Sequence, residues 1–180
     1  LADAAAWHPD VLRYRVRDAA TGAEIGDVLM DLHPRDGKYG HAAAWALLPG
    51  RRLSDGTYQR PLTAIVANLP KPQPTRPALL GHRDVVTLFH EFGHVLHATL
   101  TRAELVRFSG GETEGDFVEA PSQILEHWAW EPDVLARFAR HHATGEPIPR
   151  ALVERLVASR DLDVALSSAA RRGGKACRSR

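Results

Sequence analysis

An α+β fold with a small antiparallel sheet is what this sequence predicts, and three observations predict it. Strand-like stretches separated by turn residues fill the first third of the chain. A proline-rich connector follows at 70–77, and from residue 84 the apolar residues recur with helical spacing. Short links between the strands favour antiparallel neighbours.

In chain order, strands are predicted at about 11–17, 25–32, 40–48 and 62–68. Turn pairs at Thr21-Gly22, Asp36-Gly37, Pro49-Gly50 and Asp55-Gly56 separate them. The run Ala42-Ala43-Ala44 has weak strand propensity, so the third strand rests mainly on its neighbours. Prolines 70, 72, 74 and 77 rule out helix or central strand and make an extended connector.

The connector leads to a helix predicted over 84–100, in which Val85, Leu88, Phe89, Phe92, Val95, Leu96 and Leu100 form one apolar face. A short extended piece is expected at Glu104 to Phe108 and a loop at Ser109-Gly110-Gly111. A second helix is predicted over about 116–130, with Asp116 as N-cap and Phe117, Ile124, Leu125 and Trp128 as its buried side. Pro121 either kinks this segment or starts its regular part, because proline cannot donate to the Phe117 carbonyl. Helices at about 132–142 and 149–160 complete the pattern, and the last stretch, poor in apolar residues, is expected to be disordered.

With 180 residues, the chain is long enough for one domain with a core. A net charge of +1 argues against a dedicated nucleic-acid surface. The basic excess is confined to Arg171, Arg172, Lys175, Arg178 and Arg180, and a run of this kind is usually solvated. A basic interaction module built on this tail is the minor alternative, and it would show salt-sensitive binding to nucleic acid. The single cysteine, Cys177, cannot form an intrachain disulfide, which suits a reducing, cytoplasmic compartment. No apolar run approaches the roughly 18–20 residues that span a bilayer, and no signal peptide is visible. Because the first residue is Leu1 rather than methionine, the natural start is expected further upstream.

The chemistry is concentrated in His90-Glu91-Phe-Gly-His94 inside the first helix. His90 and His94 lie one turn apart, about 6 Å along the axis, so both imidazoles can reach one Zn²⁺. Glu91 is rotated about 100° from His90, which suits a carboxylate that handles water beside the metal without ligating it. A catalytic zinc takes three protein ligands and leaves one position open. His97 cannot supply the third, since seven residues are about 10.5 Å of helix. The ligand must come from another element, and Glu119 is the best candidate. Glu126, seven residues further on, can approach the same region and orient a ligand histidine. Glu112, Glu114 and Asp116 are expected to be ordinary solvated or capping charges.

His90-Glu-Phe-Gly-His-Val-Leu-His97 together with Asp116-Phe-Val-Glu-Ala-Pro-Ser-Gln123 resembles the thimet oligopeptidase, oligopeptidase A and peptidyl-dipeptidase Dcp family of zinc metallopeptidases. The match extends through Asp31-Leu-His-Pro-Arg-Asp-Gly-Lys-Tyr-Gly-His-Ala-Ala43 and Glu126-His-Trp-Ala-Trp-Glu-Pro132, and covers about 7–160. The resemblance implies a zincin-like, predominantly helical catalytic region and one Zn²⁺ per chain, held by His90, His94 and Glu119. It implies Glu91 as general base and short peptides as substrates. Gly40, His41, Ala42 and Ala43 resemble the family's edge strand, which pairs with the substrate backbone. No nucleic acid, membrane or obligate protein partner is implied.

Family members are several times longer, and from Asp161 the sequence leaves their pattern. A partial catalytic domain over 1–160 with a basic tail over 161–180 is therefore expected, with an exposed apolar patch and weak turnover. The alternative to an active oligopeptidase is an inactive zinc-binding fragment without the regions that stabilise the oxyanion and grip the substrate.

Overall fold

The computed structural model describes residues 6–160, which fall into two units divided between His127 and Trp128. The first unit is built on β2 (Glu24–Asp31), in which Gly26, Val28, Leu29 and Asp31 are buried and the other residues half-buried. The Thr21-Gly22 turn returns the chain from β1 (Leu12–Arg17) to β2 as an antiparallel pair. β3 (Ala43–Leu48), the short hairpin strands β4 (Arg51–Arg52) and β5 (Tyr58–Gln59), and β6 (Leu62–Val66) follow. The four-stranded sheet has the order β1-β2-β6-β3.

The expectation of an antiparallel sheet is corrected here. β6 pairs with β3 antiparallel, Ala44 opposite Ile65, but with β2 parallel, Leu29 opposite Ala64. The short-linked pairs β1–β2 and β4–β5 do reverse direction, and β3 also runs opposite to β2. However, β6 inserts between β2 and β3, and a strand antiparallel to β3 must then run with β2. The sheet is mixed because of strand order, which local turn chemistry does not encode.

The third strand also begins later than predicted, because Gly40 and His41 form a bend and regular pairing starts at Ala43. Loop 32–42 is tied down by a buried ion cluster. The Asp31 carboxylate, 3% exposed, accepts both Arg35 guanidinium nitrogens at 2.6 and 2.7 Å and the Trp7 indole N–H at 2.9 Å. The Lys38 ammonium lies 2.9 Å from the same carboxylate and donates to the carbonyls of Asp31, His33 and Ala67 at 2.9, 2.6 and 2.5 Å. Burial alone would raise the Asp31 pKa, but the Arg35, Lys38 and Trp7 hydrogen bonds outweigh it and hold the carboxyl below the usual carboxylate range. Lys38 thereby joins the C-terminal ends of β2 and β6 and fixes where the chain crosses to start β3.

Helix α1 (His82–Thr99) starts after Gly81, whose backbone N–H donates to Asp84 Oδ2 at 3.0 Å. Val95, 1% exposed, packs with Val28 and Ile65 of the sheet, and Leu88 and Phe92 join this cluster. The hydroxyls of Thr63 on β6 and Thr99 at the end of the helix are 3.0 Å apart in the buried layer between them. Val11, Leu29 and Ala64 form a second cluster with Ala6 and Leu62.

After α1, 3₁₀ turns at Val106–Phe108 and Gly110–Glu112 replace the expected extended piece and loop. Helix α2 covers Ala120–Trp128 and begins with Pro121 in its first turn, so proline starts the helix and Asp116 is not its cap. Its predicted buried side is also corrected. Phe117, Ile124 and Trp128 are each more than half exposed, whereas Ser122 is fully buried. The cause is a contact between small residues. A Cβ placed on Gly93 of α1 would lie 2.5 Å from Ser122 Cα and 2.6 Å from the Pro121 carbonyl oxygen. The helices thus meet backbone to backbone on the Ser122 face, and Ile124 and Trp128 turn outward while Leu125 is half-buried.

In the second unit, α3 covers Pro132–Phe138 and a further helix covers 150–160, both shorter than or close to expectation. Among the described residues, Ala129, Leu135 and Val153 are its buried apolar ones. The expected disorder of the basic tail concerns 161–180, outside the described residues.

Candidate metal centre

Helical spacing alone brings the His90 and His94 rings within 5.0 Å, at 80° to each other. What aims them comes from α2. Glu126 Oε1 accepts a hydrogen bond from His90 Nδ1 at 2.6 Å, which leaves the Nε2 lone pair of that ring facing away from α2's carboxylate. The Nε2 atoms of His90 and His94 lie 3.4 and 3.1 Å from Glu119 Oε2. Glu119 precedes α2, and its carbonyl accepts the Gln123 N–H at 2.9 Å, so its backbone occupies the N-cap position rather than the helix interior expected from sequence.

His90, His94 and Glu119 offer one ligand atom each, all within 4.8 Å of one another. Two donors about 2.0–2.1 Å from a shared tetrahedral ion are separated by about 3.3 Å, and the contacts to Glu119 Oε2 fall at that spacing. Two imidazoles and a carboxylate therefore suit one divalent cation with an open fourth position. The Glu119 pKa is lowered, first by the Ser122 hydroxyl, which donates to Oε2 at 2.7 Å, against burial, and then by His94 and His90. Its carboxylate form, the one that can ligate, is the favoured one.

Glu91 is 9% exposed and lines a cleft of about 380 Å³ between α1 and β3. The same cleft is lined by His90, His94, Glu119 and residues 42–46. Ala42 and Ala43 thus face the candidate centre, while Gly40 and His41 do not line the cleft; the His41 ring packs against Tyr39 at 5.6 Å. β3 is an edge strand, and among the described residues no strand pairs with its other side. A smaller cavity of about 170 Å³ shares Ala42 and Glu91 with the cleft.

His97 stands apart from the three ligand atoms, as the helical rise requires. Its Nδ1 is buried without a hydrogen-bond partner among the described residues, and its ring meets Phe117 at 6.1 Å. Burial first, and the His94 charge second, lower its pKa. Glu112, Glu114 and Asp116 are exposed and outside the cluster. Ser122 is the residue that sequence reasoning passed over; the signal available was a hydroxyl three residues after Glu119 at the start of a helix.

Peptidase family M3 matches residues 2–170 of the chain. The chain is 45% identical over 163 residues to the thimet-like oligopeptidase of Dictyostelium discoideum, covering 89% of this chain and 24% of that protein. Identity is 41% over 164 residues to saccharolysin of Saccharomyces cerevisiae, covering 89% and 23%. To oligopeptidase A of Escherichia coli K12 it is 39% over 165 residues, covering 91% and 24%. The chain spans about a quarter of the length of these relatives.

Proposed function

Because the chain belongs to peptidase family M3, we propose that its residues carry out zinc-dependent hydrolysis of short peptides, with His90, His94 and Glu119 as ligands and Glu91 as general base. The observation that carries this reading is the convergence of the three ligand atoms beside a buried glutamate on a cleft bordered by an open strand edge. Zinc, when bound, supplies a Lewis acid that makes water acidic near neutral pH.

The roles of the chain's own residues follow from placement. Glu126 holds the His90 ring so that Nε2 presents its lone pair. The open side of β3 offers backbone groups to an extended peptide, and the alanines at 42–44 leave space for the substrate main chain. Glu91, on the cleft wall beside both histidines, takes a proton from the attacking water and returns it to the leaving amine nitrogen.

Zinc content and cleavage of a short peptide, measured on one preparation of the chain and of Glu91→Gln, test the reading. The expected result is about one zinc in both proteins and cleavage only in the parent, with a loss of about 10²–10⁴ from removing the base. Stoichiometric zinc without cleavage in the parent would select the inert metal-binding alternative. Absence of zinc, or cleavage undiminished in Glu91→Gln, would overturn the assignment of roles.

A further inference from the structure

We propose that Ser122 positions the third metal ligand by holding the Glu119 carboxylate against the two histidines; the inference rests on the zinc reading above. Glu119 needs such a device. Its backbone is fixed at the start of α2, but its side chain is 49% exposed and has several rotatable bonds. An unrestrained glutamate there would spend much of its time in solvent and would have to be recruited each time an ion binds.

Ser122 is placed to prevent this. It is 0% exposed, so its hydroxyl has no water to turn to, and it must donate within the protein. Two acceptors lie in reach, Glu119 Oε2 at 2.7 Å and the Glu119 carbonyl at 2.9 Å. One hydroxyl has one proton, and the carboxylate is both nearer and the stronger acceptor. The oxygen it contacts is the same Oε2 that stands 3.4 and 3.1 Å from the two histidine Nε2 atoms. Ser122 therefore restrains the donor atom itself.

Gly93 completes the arrangement. It sits between His90 and His94 in α1, and only the absence of a Cβ lets the Ser122 backbone approach that closely. The two histidines and the serine that aims the glutamate are thus referenced to one contact point. The bland reading of Ser122 is a local hydroxyl that only closes the first turn of α2 through the Glu119 carbonyl. The two readings differ in one respect: a local role does not depend on the Glu119 side chain.

The test is a double-mutant cycle on zinc affinity, measured by competition with a chromophoric chelator, using the parent, Ser122→Ala, Glu119→Ala and the double variant. Melting of the metal-free proteins shows that each is folded, and Ser122→Gly replaces Ser122→Ala if the latter is not. Loss of the hydroxyl should weaken zinc binding about 10–100-fold in the parent. In the Glu119→Ala background it should change zinc binding by less than about twofold. The visible absorbance of the Co²⁺ form should shift in Ser122→Ala, reporting an altered ligand set. Equal zinc affinity in parent and Ser122→Ala, or an equal loss in both backgrounds, overturns the proposal and leaves the zinc reading in place. A parent that binds no zinc overturns both.

Discussion

His90 Nδ1 donates to Glu126 Oε1 across 2.6 Å, joining the metal-site helix to a residue 36 positions later. A carboxylate only accepts, so this bond places the imidazole proton on Nδ1 and leaves the Nε2 lone pair available to a metal. Removing the acceptor frees the ring to rotate and to take the other tautomer. Glu126→Ala is expected to weaken zinc binding about 10–100-fold while leaving Glu91 chemistry available, and chelator competition measures it. Unchanged affinity would mean that packing alone orients His90.

Gly93→Ala tests the close approach of α1 and α2. Alanine gains about 1 kcal/mol in helix propensity. Against this, its methyl would sit 2.5–2.8 Å from backbone atoms of Pro121 and Ser122, which no rotamer change can relieve. A net loss of about 1–3 kcal/mol is expected in urea denaturation, together with weaker zinc binding because Glu119 moves with α2. A stabilised variant with parental zinc affinity would refute the contact.

Asp31→Asn probes the ion cluster that anchors the loop before β3. The Lys38 ammonium, 3% exposed, would lose its charged partner, and breaking such a pair costs about 3–5 kcal/mol at neutral pH. Because the folded-state pKa of Asp31 is depressed, its contribution is fully present above the unfolded value, about 3.9, and is lost as pH falls toward the folded value. The stability gap between parent and Asp31→Asn should therefore be constant from pH 5 to 7 and narrow below about pH 4. A gap that widens in acid would contradict the sign of the shift.

The proposed backbone pairing along β3 predicts how a bound peptide responds to N-methylation. In a strand added to an edge, alternate amides face the sheet, so methylating successive substrate amides should weaken binding at every second position. Peptide titration of the zinc-loaded Glu91→Gln protein, where no cleavage interferes, reads the pattern. Equal tolerance at all positions would remove the strand-addition model of recognition.

Spacing within single segments was legible directly. The one-turn separation of His90 and His94, the exclusion of His97 by helical rise, and the helix around them all follow from the period of residues that are neighbours in the chain. Glu119 and Glu126 could be singled out by type and spacing, though not placed, because their distances to α1 depend on how α1 and the segment carrying both glutamates meet.

That meeting is where the tertiary structure decided. Periodicity in 116–130 put the large apolar residues inside, yet Gly93 and Ser122 make the contact and Phe117, Ile124 and Trp128 face outward. Glycine and serine carry no hydrophobic signal, so a backbone-to-backbone approach is invisible to a pattern of apolar residues. The parallel pairing of β2 with β6 escaped for a related reason, since it depends on insertion of a strand between two earlier ones. Local propensity and turn chemistry act over a few residues and determined the elements and the ligand types. Strand order, helix docking and the aim of Glu119 are set by contacts between segments far apart in the chain, and only the folded molecule contains those.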